Sequence, residues 1–325
     1  MRMGWRRAMV LLAAMLLLWG AVPVMDVRAE EAPAIPYPPL TEDGYLPADS
    51  AEEEFVHVDV KAGRWAYVSR NLHIEIERFK GKVEGRATVW FVSDIKAKDG
   101  MLLQSFQESP DKPGKKKTRP EYIAQKQRVV YAQNGDLWTW RMEDKRYPGI
   151  IIRDGQIVQE KTYKKMVEAQ PPLDEMSLYA DGHIEVHHPG EFTGEQYLEK
   201  GAYDVFSFGP ILIRDGVVDA RLEKNFTSAQ PRSAIGMIEP GHYVGVMVEG
   251  RTKRSFGTSL KFVASVLAER GCTLAFNLDG GQTSAMVFMG TLVMHEPTYN
   301  GYTNTRNQPD IIGIGTSEDV KVFRK

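Results

Sequence analysis

The chain has 325 residues, of which 42% are hydrophobic and 26% charged, with a formal net charge of −2. That apolar share supports a buried core, and the charge excludes the basic surplus a nucleic-acid binder needs. Cys272 is the single cysteine, so an internal disulfide is excluded and the thiol is expected to be a buried hydrophobe at the start of an apolar strand.

Arg2, Arg6 and Arg7 precede an uncharged run from Ala8 to Trp19, with weaker apolar character on to Met25. Val27-Arg28-Ala29 offers the small or aliphatic residues of a cleavage site, so residues 1–29 are predicted to be a signal peptide. Twelve residues fall short of the roughly 20 that cross a bilayer, so membrane contact is expected only if this segment stays uncleaved. Its removal takes four arginines and Asp26, leaving 37 basic and 42 acidic side chains, a net charge of −5. A secreted chain of this size without disulfides fits an extracytoplasmic place at a bacterial cell surface.

Residues 30–54 are rich in proline and acids and lack periodicity, which predicts an extended, mobile linker, with order beginning near Phe55. Leu72, Ile74 and Ile76 alternate with His73, Glu75 and Glu77 and predict a half-buried strand. Arg86 to Ile95 predicts a second. Ser109 to Arg119 reads as a loop, and its Lys115-Lys116-Lys117 either keeps the loop solvated or steers an anionic polymer. Thr118 is expected to cap a short helix, with Glu121 three residues on.

Val129 to Ala132 predicts a strand ending at a turn, Asn134-Gly135-Asp136. Gly149 to Gly155 and Gly209 to Gly216 are each an apolar strand closed by Asp-Gly, which predicts hairpins. Ser233 to Ile238 and Tyr243 to Val248 predict another, across Pro240-Gly241. Thr258 or Ser259 caps the best helix, with Leu260, Val263 and Leu267 on one face and Gly271 stopping it. A strand from Cys272 to Leu278, a hairpin around Gly290 and a strand from Pro309 to Gly315 follow. His187-His188 reads as a solvated loop pair. Many short strands and few helices predict an α+β fold with mixed, largely antiparallel sheets, in one compact domain over residues 55–325.

Four polar clusters sit at the ends of these strands: Asn134-Gly135-Asp136, Arg232, Glu249-Gly250-Arg251, and Asn277 through Ser284. Rigid strands can bring such exposed ends to one cleft. Arginine forks suit phosphate or carboxylate, and the paired glycines after Asp279 let backbone N–H groups approach a ligand.

In order and spacing these clusters resemble the phosphodiester glycosidase family, the NAGPA domain, most strongly between residues 129 and 315. The resemblance rests on Ser233-Ala234-Ile235-Gly236, on Val248-Glu249-Gly250-Arg251, and on Asn277-Leu278-Asp279-Gly280-Gly281, with Arg306 before the final strand. Gln282 and Thr283 stand where the family usually has glycine and serine, and Glu249 stands for its usual aspartate. The resemblance implies hydrolysis of the glycosyl C1–O bond of a sugar-1-phosphodiester, with an anionic glycopolymer as the expected partner. Catalytic candidates are then Asp279, Asp136 and Glu249. Expected substrate contacts are Asn134, Gly135, Arg232, Arg251, Asn277, Gly280, Gly281, Thr283, Ser284 and Arg306. No motif calls for a cofactor; a divalent cation bridging Asp136 or Asp279 to phosphate stays open. The alternative reading is a non-catalytic module that binds cell-wall or extracellular polysaccharide.

Overall fold

The computed structural model describes residues 34–144, 147–160, 173–299 and 302–322. The expected signal peptide lies outside the described residues. A nine-stranded sheet runs Phe55–Asp59, Arg64–Val68, Leu72–Val83, Arg86–Ala97, His242–Val248, Arg232–Glu239, Leu274–Asn277, Ile211–Arg214 and Val217–Val218. One five-stranded sheet runs Ile184–His187, Asp174–Tyr179, Ala202–Phe208, Ile151–Arg153 and Gln156–Gln159. Another runs Thr291–Leu292, Met286–Phe288, Val129–Asn134, Asp310–Thr316 and Gln104–Gln107.

Alternation along the central strands decides the layering. Ala234, Val244, Val246 and Val248 point to one face of the large sheet, where the helix Leu260–Glu269 covers them with Leu260, Val263, Ala264 and Leu267. Ile235, Tyr243 and Met247 point to the other face. There they meet Tyr131 and Ile312 of one small sheet and Met176 and Phe206 of the other, so a single core joins all three sheets. Ser259 caps the covering helix through its hydroxyl, and Gly271 follows its end at φ +85°.

A buried polar cluster fixes how the sheets sit on one another. The Gln133 amide donates to Ser233 Oγ at 3.1 Å and to the carbonyls of Ala234 and Val246, and Tyr131 donates to Gln133 Oε1 at 3.0 Å. Gly245 is required beneath it, because a Cβ there would lie 2.3 Å from the Tyr131 hydroxyl.

The Asp-Gly hairpins form as read. Asp154, Gly155, Asp215 and Gly216 all take positive φ, the paired left-handed geometry of two-residue hairpin turns. Other expectations are corrected. Thr118 does not cap the helix Pro120–Lys126; it bridges Gln308, and Arg119 stands at the cap with Pro120 opening the helix. Residues 34–54 carry no helix or strand but are packed down: Tyr45 and Leu46 are buried, and Tyr37 donates to Glu75 at 2.7 Å. The strand Val129–Asn134 ends at Asn134-Gly135-Asp136 as read, and the chain then enters the helix Trp138–Glu143. His187 ends the strand Ile184–His187 and is buried between Glu185 and Glu191, so it is not part of a solvated loop, whereas His188 follows the strand, stays exposed and pairs with Asp174. Cys272 is buried, which pushes its thiol up to about 12.

Arg153 is fully buried, with Nε 2.8 Å from Asp310 and Nη2 3.1 Å from Asp136. Replacing it with Met would strand two buried carboxylates and is expected to cost ~3–5 kcal/mol in urea unfolding. Adding Asp136→Asn and Asp310→Asn to that variant should recover much of the loss. No recovery would mean that packing, not charge, is what Arg153 contributes.

Candidate active site

The strand ends do converge. Arg232 opens its strand opposite Val248, and Ala234 pairs with Asn277 on the other side, so the Arg232, Glu249-Gly250-Arg251 and Asn277–Gly281 segments emerge at the same edge. Phe208 ends a neighbouring strand nearby, and the Asn277 amide donates to Gly209 O at 2.7 Å. These segments enclose a cavity of about 410 Å³, lined among others by Arg232, Arg251, Asn277, Asp279, Gly280 and Gly281. The rest of its wall includes Arg306, Arg141, Trp140, Phe208 and Phe226.

Among the described residues four arginines and one carboxylate face this space, so its lining there is cationic. Arg232 is clamped by backbone: Nε donates to Thr258 O at 3.0 Å and Nη2 to Ser228 O at 2.8 Å. Burial lowers its pKa to about 10, opposed by Glu84 and helped by Arg251, which leaves it charged at neutral pH. Arg251 holds φ +61°, a strained value for a residue with a Cβ, and its Nε donates to Gln230 Oε1 at 2.9 Å. Gly281 sits directly against it at φ +64°; a Cβ there would lie 3.0 Å from Arg251 Nη2. Leu137, on the opposite wall, is also left-handed at φ +48°.

Asp279 keeps part of its surface open to the cavity while protein surrounds it densely. Those surroundings raise its carboxyl to about 6; Arg141 and Arg306 pull it down and Asp136 adds to the rise. Asn134 positions its backbone, donating to Asp279 O at 2.8 Å while accepting from Ala285 N at 3.0 Å. Asn277 is buried at the cavity wall, and its Oδ1 accepts no hydrogen bond from the described residues.

The other sequence candidates lie behind this lining. Asp136 is fully buried, paired with Arg153 and accepting from Ser207 N at 3.0 Å, so its carboxylate is committed to the fold and not to the cavity. Glu249 is buried, paired with Arg254 at 2.9 Å and accepting from His295 N, so it fixes the loop that carries Arg251. Gly135 is there for fit, since a Cβ would lie 2.8 Å from Asp310 Oδ1. Thr283 and Ser284 are buried below the Gly280-Gly281 turn. Among the described residues no group of His, Cys, Asp and Glu side chains is arranged to hold a metal ion.

Sequence reading missed Arg141. Its Nη atoms donate to the carbonyls of Asp136 (2.6 Å), Ser207 (2.7 Å) and Pro148 (2.9 Å), which fixes a buried cation at the cavity floor. The helix that carries it starts at left-handed Leu137 with no side-chain cap, so no start signal marks it.

Residues 127–315 match the family described as phosphodiester glycosidase (NAGPA). The chain belongs to the phosphodiester glycosidase family. That family is one of glycosidases acting on phosphodiesters. The catalytic domain of zebrafish N-acetylglucosamine-1-phosphodiester alpha-N-acetylglucosaminidase, solved auto-inhibited by its pro-peptide, shares the fold: TM-score 0.60, 18% identity, 77% of this chain and 85% of that one. A hypothetical protein from Synechocystis is similar more distantly, at TM-score 0.47 and 14% identity over 77% of this chain and 63% of that one. In sequence, the SPbeta prophage-derived uncharacterized protein YomE of Bacillus subtilis (strain 168) is 28% identical over 174 residues, 53% of this chain. The match spans only 26% of that longer protein.

The raised carboxyl of Asp279 makes a stability prediction. The folded state holds this proton more tightly than the unfolded chain, so the group contributes stability below its ordinary pKa of 3.8, and this is lost as pH rises through about 6. Asp279→Asn removes that dependence. Calorimetry should show its Tm gaining on the parent's between about pH 4 and 7. A constant difference across that window would contradict a raised carboxyl.

Proposed function

We propose that this protein hydrolyses the bond between a sugar's anomeric carbon and a phosphate oxygen, acting on a glycopolymer at the cell surface. One observation carries the reading: among the described residues, Arg232, Arg251 and Arg306 line the same cavity as one carboxylate, Asp279. An ordinary glycosidase uses two carboxyl groups, one of them to protonate the leaving oxygen. A phosphate leaves as a stable anion and needs no such acid, so the second carboxyl is dispensable where guanidinium groups stabilise the departing charge.

In this reading Arg232 and Arg251 hold the phosphodiester. Asp279 takes a proton from the water that adds to C1. The C1–O bond breaks, its electrons stay with the phosphate, and the products are a free sugar and a phosphomonoester. The proton on Asp279 passes to solvent. Asn277 Oδ1, which has no donor among the described residues, takes a hydrogen bond from a sugar hydroxyl or amide. The expected signal peptide would place this chemistry outside the cytoplasm.

A panel of sugar 1-(methyl phosphate) diesters tests the reaction in water enriched in oxygen-18. The expected result is free sugar carrying the label and unlabelled methyl phosphate. Label in the phosphate would mean P–O cleavage and would sink the proposal. Asp279→Asn should lower kcat by about 10²–10⁴-fold. With Asp279 as base, kcat/KM should rise with pH through about 6. Arg251→Ala should act chiefly by raising KM.

A further inference from the structure

The lysine loop found in the sequence is not absorbed by the cavity, but the fold places it beside the cavity's rim. Lys117 forms an ion pair with Glu143, at the end of the helix Trp138–Glu143. Gly114 packs against Trp138 of the same helix, where a Cβ would lie 2.5 Å from the indole. Trp140, on that helix, lines the cavity, is 38% exposed, and has the Arg306 guanidinium over its ring at 5.7 Å. Trp140 and Glu143 are three residues apart, or ~4.5 Å along a helix axis. The lysine loop and the rim are therefore near neighbours.

The charges on this surface are uneven. Lys117 is neutralised by Glu143, and Arg119 by Glu121 and Glu296. Lys115 and Lys116 are exposed and pair with no carboxylate among the described residues, nor does Arg306. An acidic chain thus carries cations that pair with no carboxylate among the described residues both at the cavity, in Arg306, and in the loop beside its rim, where Trp140 is 38% exposed. Cations select for anionic groups, and a flat aromatic face suits the C–H face of a sugar ring.

Resting on the hydrolase reading above, we propose that the Trp140 face and Lys115-Lys116 form an outer subsite for a second, anionic repeat of the substrate. The favoured substrate is then a polymer of sugars joined by phosphodiesters. The bond to be cut lies in the cavity, the next sugar stacks on Trp140, and the following phosphate faces the lysines.

The test compares a four-sugar phosphodiester oligomer with a sugar 1-(methyl phosphate). The parent protein should prefer the oligomer, and salt should weaken that preference. Lys115→Glu/Lys116→Glu, two surface changes that leave the cavity intact, should lower kcat/KM for the oligomer about tenfold, as ~1.4 kcal/mol requires. The same variant should leave the methyl diester unchanged. Trp140→Ala in an Asp279→Asn background should weaken oligomer binding in direct titration. Equal losses on both substrates, or none on the oligomer, overturn the subsite. So does single-stranded DNA of equal charge competing as well as the oligomer, because charge alone would then explain binding. If the parent cleaves neither substrate, the hydrolase reading fails by itself. Oligomer binding then decides the subsite: weakening by the lysine reversals supports it, and unchanged binding removes it.

Discussion

Arg153 holds the site together from behind. Its guanidinium is sealed from solvent between Asp136, at the end of one small-sheet strand, and Asp310, at the start of that strand's neighbour, while Arg153 itself belongs to the other small sheet. Its Nη1 also donates to Val205 O at 2.6 Å. Burial alone would pull the guanidinium's pKa down, but Asp310 and Asp136 more than offset this and hold it above its ordinary range. The Trp138 indole donates to Asp310 at 3.3 Å, so the same ion network anchors the helix that presents Trp140 and Arg141 to the cavity. Buried charges tolerate little displacement, because each lost partner leaves an ion in a poor solvent. Two sheets are thereby locked at the position where their ends form one wall of the pocket.

Both sides of the pocket also carry backbone strain. Arg251 and, across the cavity, Leu137 both hold left-handed backbone that costs of order 1–3 kcal/mol each. Arg251 stays there because Glu249 and Arg254 brace its loop and Gly281 leaves room for its guanidinium. Leu137 stays because Asp136 before it and Trp138 after it are both held by the ion network. Strain sustained in this way fixes directions: it aims one cation and one apolar side chain into a space that relaxed backbone would not reach.

Much of this was legible in the sequence where the signal is local. The Asp154-Gly155 and Asp215-Gly216 hairpins, the helix capped by Ser259, and the alternating central strands all follow from residues within a few positions of one another. The convergence of Arg232, Arg251 and Asp279 was also readable, since each stands at or just beyond an end of an apolar strand. The distinction between Asp279 and Asp136 was not. Both are aspartates flanked by glycine at a strand end, and what separates them is Arg153, 17 residues from Asp136 in the chain, together with Asp310, far beyond. The strand Asp174–Tyr179 was invisible for a different reason. All six of its residues are buried, including Asp174 and Glu175, so it shows no alternation. Its acids are satisfied by Tyr197, His188 and Arg221, which are remote in sequence.

The same separation sets the charge of the pocket. Asp136 and Glu249 are acids that the fold has neutralised with Arg153 and Arg254, so neither repels an incoming anion. The cations at the cavity are held in a different way. Arg232 and Arg141 are gripped by backbone carbonyls, which orient a guanidinium without cancelling its charge. Carboxylates are thus spent on structure and carbonyls on the arginines of the pocket. The outcome is a cavity whose described lining attracts anions within an acidic protein, with Asp279 among that lining able to take up a proton near pH 6. On the proposed reading, a neutral glycoside would leave those arginines without a counter-charge, whereas a phosphodiester would supply one and bring its own leaving group into the cavity that Asp279 lines.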